Sequence, residues 1–198
     1  LDMSPFEFEV FTKTLTEVFP QVTLWRRSMS PRYPVYALVA RKQERPLDAG
    51  RLDAAWRDLV DREVIDGRVW IANMPLAAYV GNMSELRPRF ADRPVNTADR
   101  TVLEFAAPIT ERRRRTDDSG ARTLAWNELH AWCEQLLEAL PPEADPYLRR
   151  VPADRRHEVR AGLDYYGFEV YRRMKQHGLA RAHWESYREH LARAGIED

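Results

Sequence analysis

Apolar residues recur at helical spacing in Phe8, Phe11, Leu15, Val18 and Phe19, and Pro20 stops the run. Ser4-Pro5-Phe6-Glu7 opens it with a capping serine, a proline at the first helical position and a glutamate three residues after the cap. A helix is therefore predicted first. Val22-Thr23-Leu24-Trp25 then reads as a strand, and Val35 to Ala40 as a second that is apolar on both faces. Such a strand is expected to be buried on both sides. A lone hairpin is marginal in water, so its cover must come from the rest of the chain or from a sheet outside it.

Asp48 is placed to cap a helix carrying Leu52, Ala55, Trp56, Leu59 and Val60 on one face, with Arg51, Asp53, Arg57, Asp58 and Asp61 outside. Asp66-Gly67 reads as a turn, and Val69-Trp70-Ile71 fits either a short strand or the lead into a helix. That helix is predicted around Pro75 to Val80, with Gly81-Asn82 ending it. From Arg122 onward the period is helical throughout. Leu124, Leu129, Cys133, Leu136, Leu137 and Leu140 mark one helix before Pro141-Pro142. Val159, Leu163, Tyr166, Val170 and Met174 mark a second, and Leu179, His183, Tyr187 and Leu191 a third. The last two have the length of a tetratricopeptide-like pair, with Tyr171, Ala180 and Trp184 near its expected positions. One such unit cannot bury a core by itself, so this tail is expected to pack on the first domain or on a partner.

Between these regions lies Asn96-Thr97-Ala98-Asp99-Arg100-Thr101-Val102-Leu103-Glu104-Phe105, running to Pro108. Asn96, Thr97 and Asp99 are side chains that hold tight turns or caps through bonds to nearby backbone. Val102, Leu103 and Phe105 then suggest an edge strand, and Arg100 and Glu104 could pair across the turn.

The 198 residues give room for one ordinary domain or two small ones. Thirty-one basic and thirty-one acidic side chains balance, so no net field calls for nucleic acid or an anionic membrane. Cys133 is the one cysteine, which excludes an intramolecular disulfide and favours a reducing, cytoplasmic compartment. Val35 to Ala40, the longest clean apolar run, is far too short to cross a bilayer, and Asp2, Glu7 and Glu9 stand where secretion uses a basic start.

The segment from Asn96 to Phe105 resembles the N-T-D-D-R-P-x-L-E-F signature near the C-terminal end of spermidine-synthase-like proteins, the polyamine aminopropyltransferases, in their extended bacterial form. Ala98 replaces the first acidic residue and Thr101 the proline. Thr14 to Val22 is similar to the segment those enzymes carry before their last strand pair. Tyr33-Pro34 resembles part of the T-Y-P-S-G segment whose tyrosine helps bind the amine, with Arg32 for threonine and Val35-Tyr36 for serine-glycine. The likeness covers about residues 5 to 108. It implies an α/β class, an α+β remnant made of the last helix and two antiparallel strands of a methyltransferase-like Rossmann fold. A helical extension and an all-α tail follow. The implied partition is 1–110 for the transferase part, 111–121 for an arginine-rich linker and 122–198 for the tail. Tyr33 is then the candidate substrate-binding residue, and Asn96, Thr97, Asp99, Arg100 and Glu104 a motif network that is structural rather than catalytic.

No glycine-rich loop follows a strand, and the chain has only 8 glycines, so the turn that would seat an adenosyl cofactor is missing. The acidic motif with which the resembled enzymes bind and deprotonate the amine is also missing. Both would lie upstream of Leu1. No catalytic residue and no cofactor are therefore expected in this chain. Decarboxylated S-adenosylmethionine would be the co-substrate of a complete family member, attacked by a polyamine nitrogen at the propyl carbon beside the sulfonium. The expected partner is a missing N-terminal transferase half or a separate protein, with a second copy of the chain as a further candidate. Two other readings stand beside this one, a non-catalytic helical interaction module and a pseudoenzyme subunit completed by another chain.

Other chemistry weighs less. Arg112 to Arg115 run into Asp117-Asp118 with no aromatic between them, the pattern of a solvated linker. His177, His183 and His190 are spaced by six and seven, unlike a helical ligand pair, and no second cysteine joins Cys133, so no metal is expected. Cys133 lies on an apolar stripe and reads as a buried thiol, even with His130 three residues before it. Glu143 and Asp145 read as solvated carboxylates. Trp126, Trp132, Trp184, Tyr165, Tyr166 and Tyr171 read as helical core before they read as an interaction surface.

Overall fold

Pro20 ends the first helix, α1 (Pro5–Val18), and sends the chain directly into β1 (Gln21–Arg26). In this computed structural model, residues 5–27, 29–31, 35–62, 74–104 and 126–196 are described. β2 (Tyr36–Arg41) returns antiparallel to β1 in unbroken register, from Gln21 opposite Arg41 to Arg26 opposite Tyr36. α2 (Ala49–Asp61) starts at Asp48, whose Oδ1 accepts from the Arg51 amide at 3.0 Å, as the capping pattern predicts.

The helix expected around Pro75 to Val80 is instead a single 3₁₀ turn, Pro75–Ala78, followed by a third strand, β3 (Tyr79–Asn82). Proline starts the turn, but Tyr79 and the residues after it find ladder partners on β1. Thr23 pairs with Asn82 and Leu24 with Gly81, and a bulge between Leu24 and Trp25 shifts the pairing of Tyr79 to Trp25. Short apolar runs do not distinguish strand from helix by period. The described sheet is antiparallel throughout, in the order β2-β1-β3.

Three further helices, α3 (Trp126–Ala139), α4 (His157–Arg173) and α5 (His177–Arg193), match the helical pattern of the second half. The fold is therefore a mixed α+β one. α4 packs on α3, on α5 and on the Pro75–Ala78 turn. Val22, Leu24 and Val80 from the sheet share one apolar core with Leu136, Leu148 and Leu163 from the helical half. The helices from Trp126 onward thus bury their stripes against the sheet. Residues 111–121, Asp66-Gly67 and Val69-Trp70-Ile71 lie outside the described residues.

β2 departs from its expected environment. Tyr36, Leu38 and Ala40 pack against the core, whereas Ala37 and Val39 face outward and are exposed, Val39 by 38%. Only one face of a strand that is apolar on both is covered. Asp145 departs in the other direction. Rather than a solvated carboxylate it is buried, accepting from Tyr79 Oη at 2.6 Å, Asn82 Nδ2 at 3.2 Å and the Tyr147 amide at 2.9 Å. Burial raises its pKa above the usual carboxylate range, against the pull of these three donors. Among the described residues, no helix is long and apolar enough to cross a membrane.

Candidate functional site

Tyr33 lies outside the described residues. The motif network resolves into one working side chain and a solvated turn. The Asn96 amide donates to Thr14 Oγ1 on α1 at 2.9 Å, and Asn96 Oδ1 accepts from the Leu103 amide at 2.9 Å. One asparagine thus fastens the segment to α1 and caps the helical turn formed by residues 102–104. That turn replaces the expected strand, because the asparagine satisfies a backbone donor that a strand would pair elsewhere. Phe105 lies outside the described residues.

Thr97 and Arg100 exchange two backbone hydrogen bonds, at 3.0 and 3.1 Å, and Thr97 Oγ1 accepts from the Arg100 amide at 3.1 Å. Asp99, Arg100 and Glu104 are exposed, and no ion pair joins them among the described residues. The Asn96→Ala variant should therefore lose about 1 kcal/mol and melt a few degrees lower, since an amide loses its acceptor. Asp99→Ala should stay within about 0.5 kcal/mol. Equal losses in thermal melts of the two variants would contradict this division.

A second polar group lies in the helical half, where α3 and α5 both rest on α4. His130, on α3, is completely buried, and among the described residues neither of its ring nitrogens makes a well-formed hydrogen bond. Its Nδ1 lies 3.4 Å from Glu134 Oε2, one turn further along α3. The His183 ring of α5 meets the His130 ring edge-on, with centroids 4.8 Å apart. His183 Nδ1 is 3.2 Å from Asp164 Oδ1, and Ser186 Oγ donates to Asp164 Oδ2 at 2.8 Å. Tyr171 stacks on His183, nearly parallel, with centroids 5.3 Å apart, and meets the His130 ring edge-on at 5.7 Å. The Glu134 carboxyl is held below its ordinary range, chiefly by its approach to His130.

Two imidazoles reach this place because α4 carries glycine at position 167. A Cβ there would lie 2.5 Å from His130 Nε2 and 2.9 Å from His183 Nδ1. Cys133, one turn from His130, meets β2 instead. It is buried, its Sγ lies 3.6 Å from Tyr36 Oη, and burial pushes its thiol up, which suits an inert core sulfur. His190 turns to His157, with the two Nδ1 atoms 3.2 Å apart, and His177 begins α5.

The histidines weighed as metal ligands in the sequence were His177, His183 and His190, and His130 was weighed only beside Cys133. The tertiary structure groups His183 with His130 and Glu134 instead. A signal was present, because His130 and Glu134 are four apart on one helix, the spacing that aims two side chains at one point. The third member comes from another helix and carries no local sign. Elsewhere, a surface cleft of about 130 Å³ opens beside Gln21, Arg45, Asn82 and Tyr147. It falls well short of the roughly 300 Å³ at which small-molecule sites begin. No family model, curated protein or solved structure matches the chain.

Proposed function

We propose that this chain is the C-terminal region of a spermidine-synthase-like aminopropyltransferase, and that by itself it serves as a platform rather than a catalyst. The observation that supports the reading is β2. Among the described residues its outer edge has no strand beside it, and Ala37 and Val39 leave one apolar face bare. An apolar edge strand with open backbone groups is a liability unless another strand or layer covers it. A sheet that continues past β2 into a transferase half supplies both covers. α1, β1 and β2 would then be the last helix and strand pair of the methyltransferase-like fold, and the segment fastened by Asn96 the family's extension.

The residues present do not fit an adenosyl group, because no glycine-rich strand–turn–helix exists to cradle it. No chemical step is therefore assigned to this chain. Decarboxylated S-adenosylmethionine and the amine would be substrates of the complete protein. The cytoplasm is its expected compartment.

The coding sequence upstream of Leu1 provides the first test. In-frame continuation into a glycine-rich strand–turn–helix is the expected result, and an unrelated sequence or a closed frame overturns the reading. Calorimetric titration of the chain with 5′-methylthioadenosine, then with putrescine or spermidine, should give no heat while a cooperative melt reports a folded protein. Heat at micromolar ligand would show a site that the platform reading excludes. A second reading, a helical interaction module, is favoured by Leu179 and Trp184 of α5, which are 49% and 36% exposed. An unrelated upstream sequence would favour it.

A further inference from the structure

We propose that His130, Glu134 and His183 form a binding site for a divalent transition-metal ion of the zinc class, bridging α3 to α5. One donor atom from each residue falls within a group whose members lie within 4.8 Å of one another. The inference does not depend on the transferase reading.

Four features point to a ligand rather than to ordinary packing. First, His130 is completely buried and, among the described residues, neither ring nitrogen makes a well-formed hydrogen bond, Nδ1 having only the 3.4 Å approach of Glu134 Oε2. An imidazole in that state costs free energy unless something arrives to accept or donate. Second, the orientations converge. Asp164 faces His183 Nδ1, so that with the proton on Nδ1 the lone-pair nitrogen is Nε2, and Asp164 is itself held by Ser186. A carboxylate behind a histidine is the usual support of a metal-binding imidazole. Third, His130 Nε2 and His183 Nδ1 both lie against Gly167 of α4. Their other nitrogens, His130 Nδ1 and His183 Nε2, lie further from that glycine. His130 Nδ1 meets Glu134 Oε2 at 3.4 Å. Fourth, the Glu134 side chain is 39% exposed, which gives an ion a route from solvent.

Two imidazoles and one carboxylate suit a borderline ion such as zinc, cobalt or nickel better than calcium or magnesium, which prefer oxygen donors. Ligand atoms about 2.1 Å from a tetrahedral ion sit roughly 3.4 Å apart, so a pair at the 4.8 Å limit has to close by about 1.4 Å. Glu134 Oε2 and His130 Nδ1 already stand at that spacing, 3.4 Å apart, so the closing movement is that of His183 relative to them. Three protein ligands leave a fourth position for water, facing the solvent side of Glu134. An ion there would tie together two helices that otherwise meet mainly through α4, and the melting temperature would rise with metal concentration.

The test uses the untagged full chain and Co²⁺ as a spectroscopic probe, with Zn²⁺ in competition. The expected result is one equivalent of cobalt giving the visible bands of a four-coordinate ion, discharged by zinc. Glu134→Gln, at a partly exposed position, should keep the metal-free melt and weaken binding at least tenfold. Asp164→Asn should weaken it by about 10- to 100-fold through His183. His157→Gln, which breaks the His157–His190 pair at a residue that makes no hydrogen bond or ion pair with Asp164 among the described residues, should leave the spectrum unchanged. No cobalt bands and no zinc-induced melting shift at about 100-fold excess of metal over protein would overturn the site. Binding that survives Glu134→Gln together with His183→Ala overturns it as well. Loss of binding in His157→Gln alone would move the ion to the His157–His190 pair and equally refute the proposal.

Discussion

Arg155→Ala should destabilise the protein by about 3 kcal/mol, the lower end of what removing one partner of a buried ion pair costs, because Arg155 itself is 23% exposed. Its guanidinium grips Asp53 of α2 through two bonds, at 2.7 and 3.0 Å, and Glu158 of α4 through Nε at 2.6 Å. Glu158 Oε2 also accepts from the Leu76 amide at 3.3 Å, so one cluster ties α2, the Pro75–Ala78 turn and the start of α4 together. Glu158 is buried, and burial lifts its pKa above the ordinary carboxylate range despite the pull of Arg155. Arg155 is in turn held above its usual range by Asp53.

The pH dependence of that loss follows from linkage. A carboxyl whose folded pKa is raised contributes stability fully below its unfolded pKa and loses it as pH rises through the folded value. Removing Arg155 takes away an effect that opposes the rise, so the charged form of Glu158 becomes costlier still. The variant should fall furthest below the parent protein near pH 8 and recover part of the gap near pH 5. Glu158→Gln in the Arg155→Ala background should restore stability at the higher pH, because no unpaired charge is then buried. A deficit equal at both pH values, and no rescue by the double variant, would trace the loss to the Asp53 contact alone. Melting curves decide it, with a drop of roughly 6 to 12 °C expected for a chain of this size.

Gly162→Ala should cost about as much, roughly 3 kcal/mol, for a steric reason. A Cβ at position 162 would lie 2.1 Å from the Ala77 carbonyl oxygen and 2.7 Å from Ala77 Cα. These are backbone atoms of the 3₁₀ turn and cannot rotate aside, so α4 has to move away from that turn. The same movement would disturb Arg26, whose Nη1 donates to the Gly162 carbonyl at 3.2 Å and whose guanidinium stacks 4.6 Å over the Tyr166 ring. Gly178→Ala in α5 is the control, since a Cβ there meets nothing within 4 Å. It should change stability by no more than about 0.5 kcal/mol. Equal melting temperatures for the two alanine variants would show that α4 is free to slide on the turn.

Both effects belong to residues that carried little sequence signal. Asp53 was assigned to the outer face of α2, which is where an ordinary helix keeps aspartate, yet its partner lies 102 residues away. Gly162 interrupts a helical period and reads locally as a weak point, whereas its value lies in the close approach of another backbone. Asn96 was legible as a turn former, because its bond to the Leu103 amide is local. That it fastens the segment to α1 was not, because Thr14 is 82 residues earlier.

The sequence by itself determined those features whose cause is local: the first helix with its terminating proline, the strand pair that follows, the Asp48 cap, the three helices after residue 122 and the buried Cys133. Period, capping and chain-breaking residues act over a few positions and leave a readable trace. Only the tertiary structure decided the third strand at Tyr79–Asn82, the burial of Asp145, the bare outer face of β2 and the meeting of His130, Glu134 and His183. Each depends on which surface another element presents, and for the histidines on the angular phase of α3 and α5 across Gly167. That phase is set by packing between helices distant in sequence, and no local pattern encodes it.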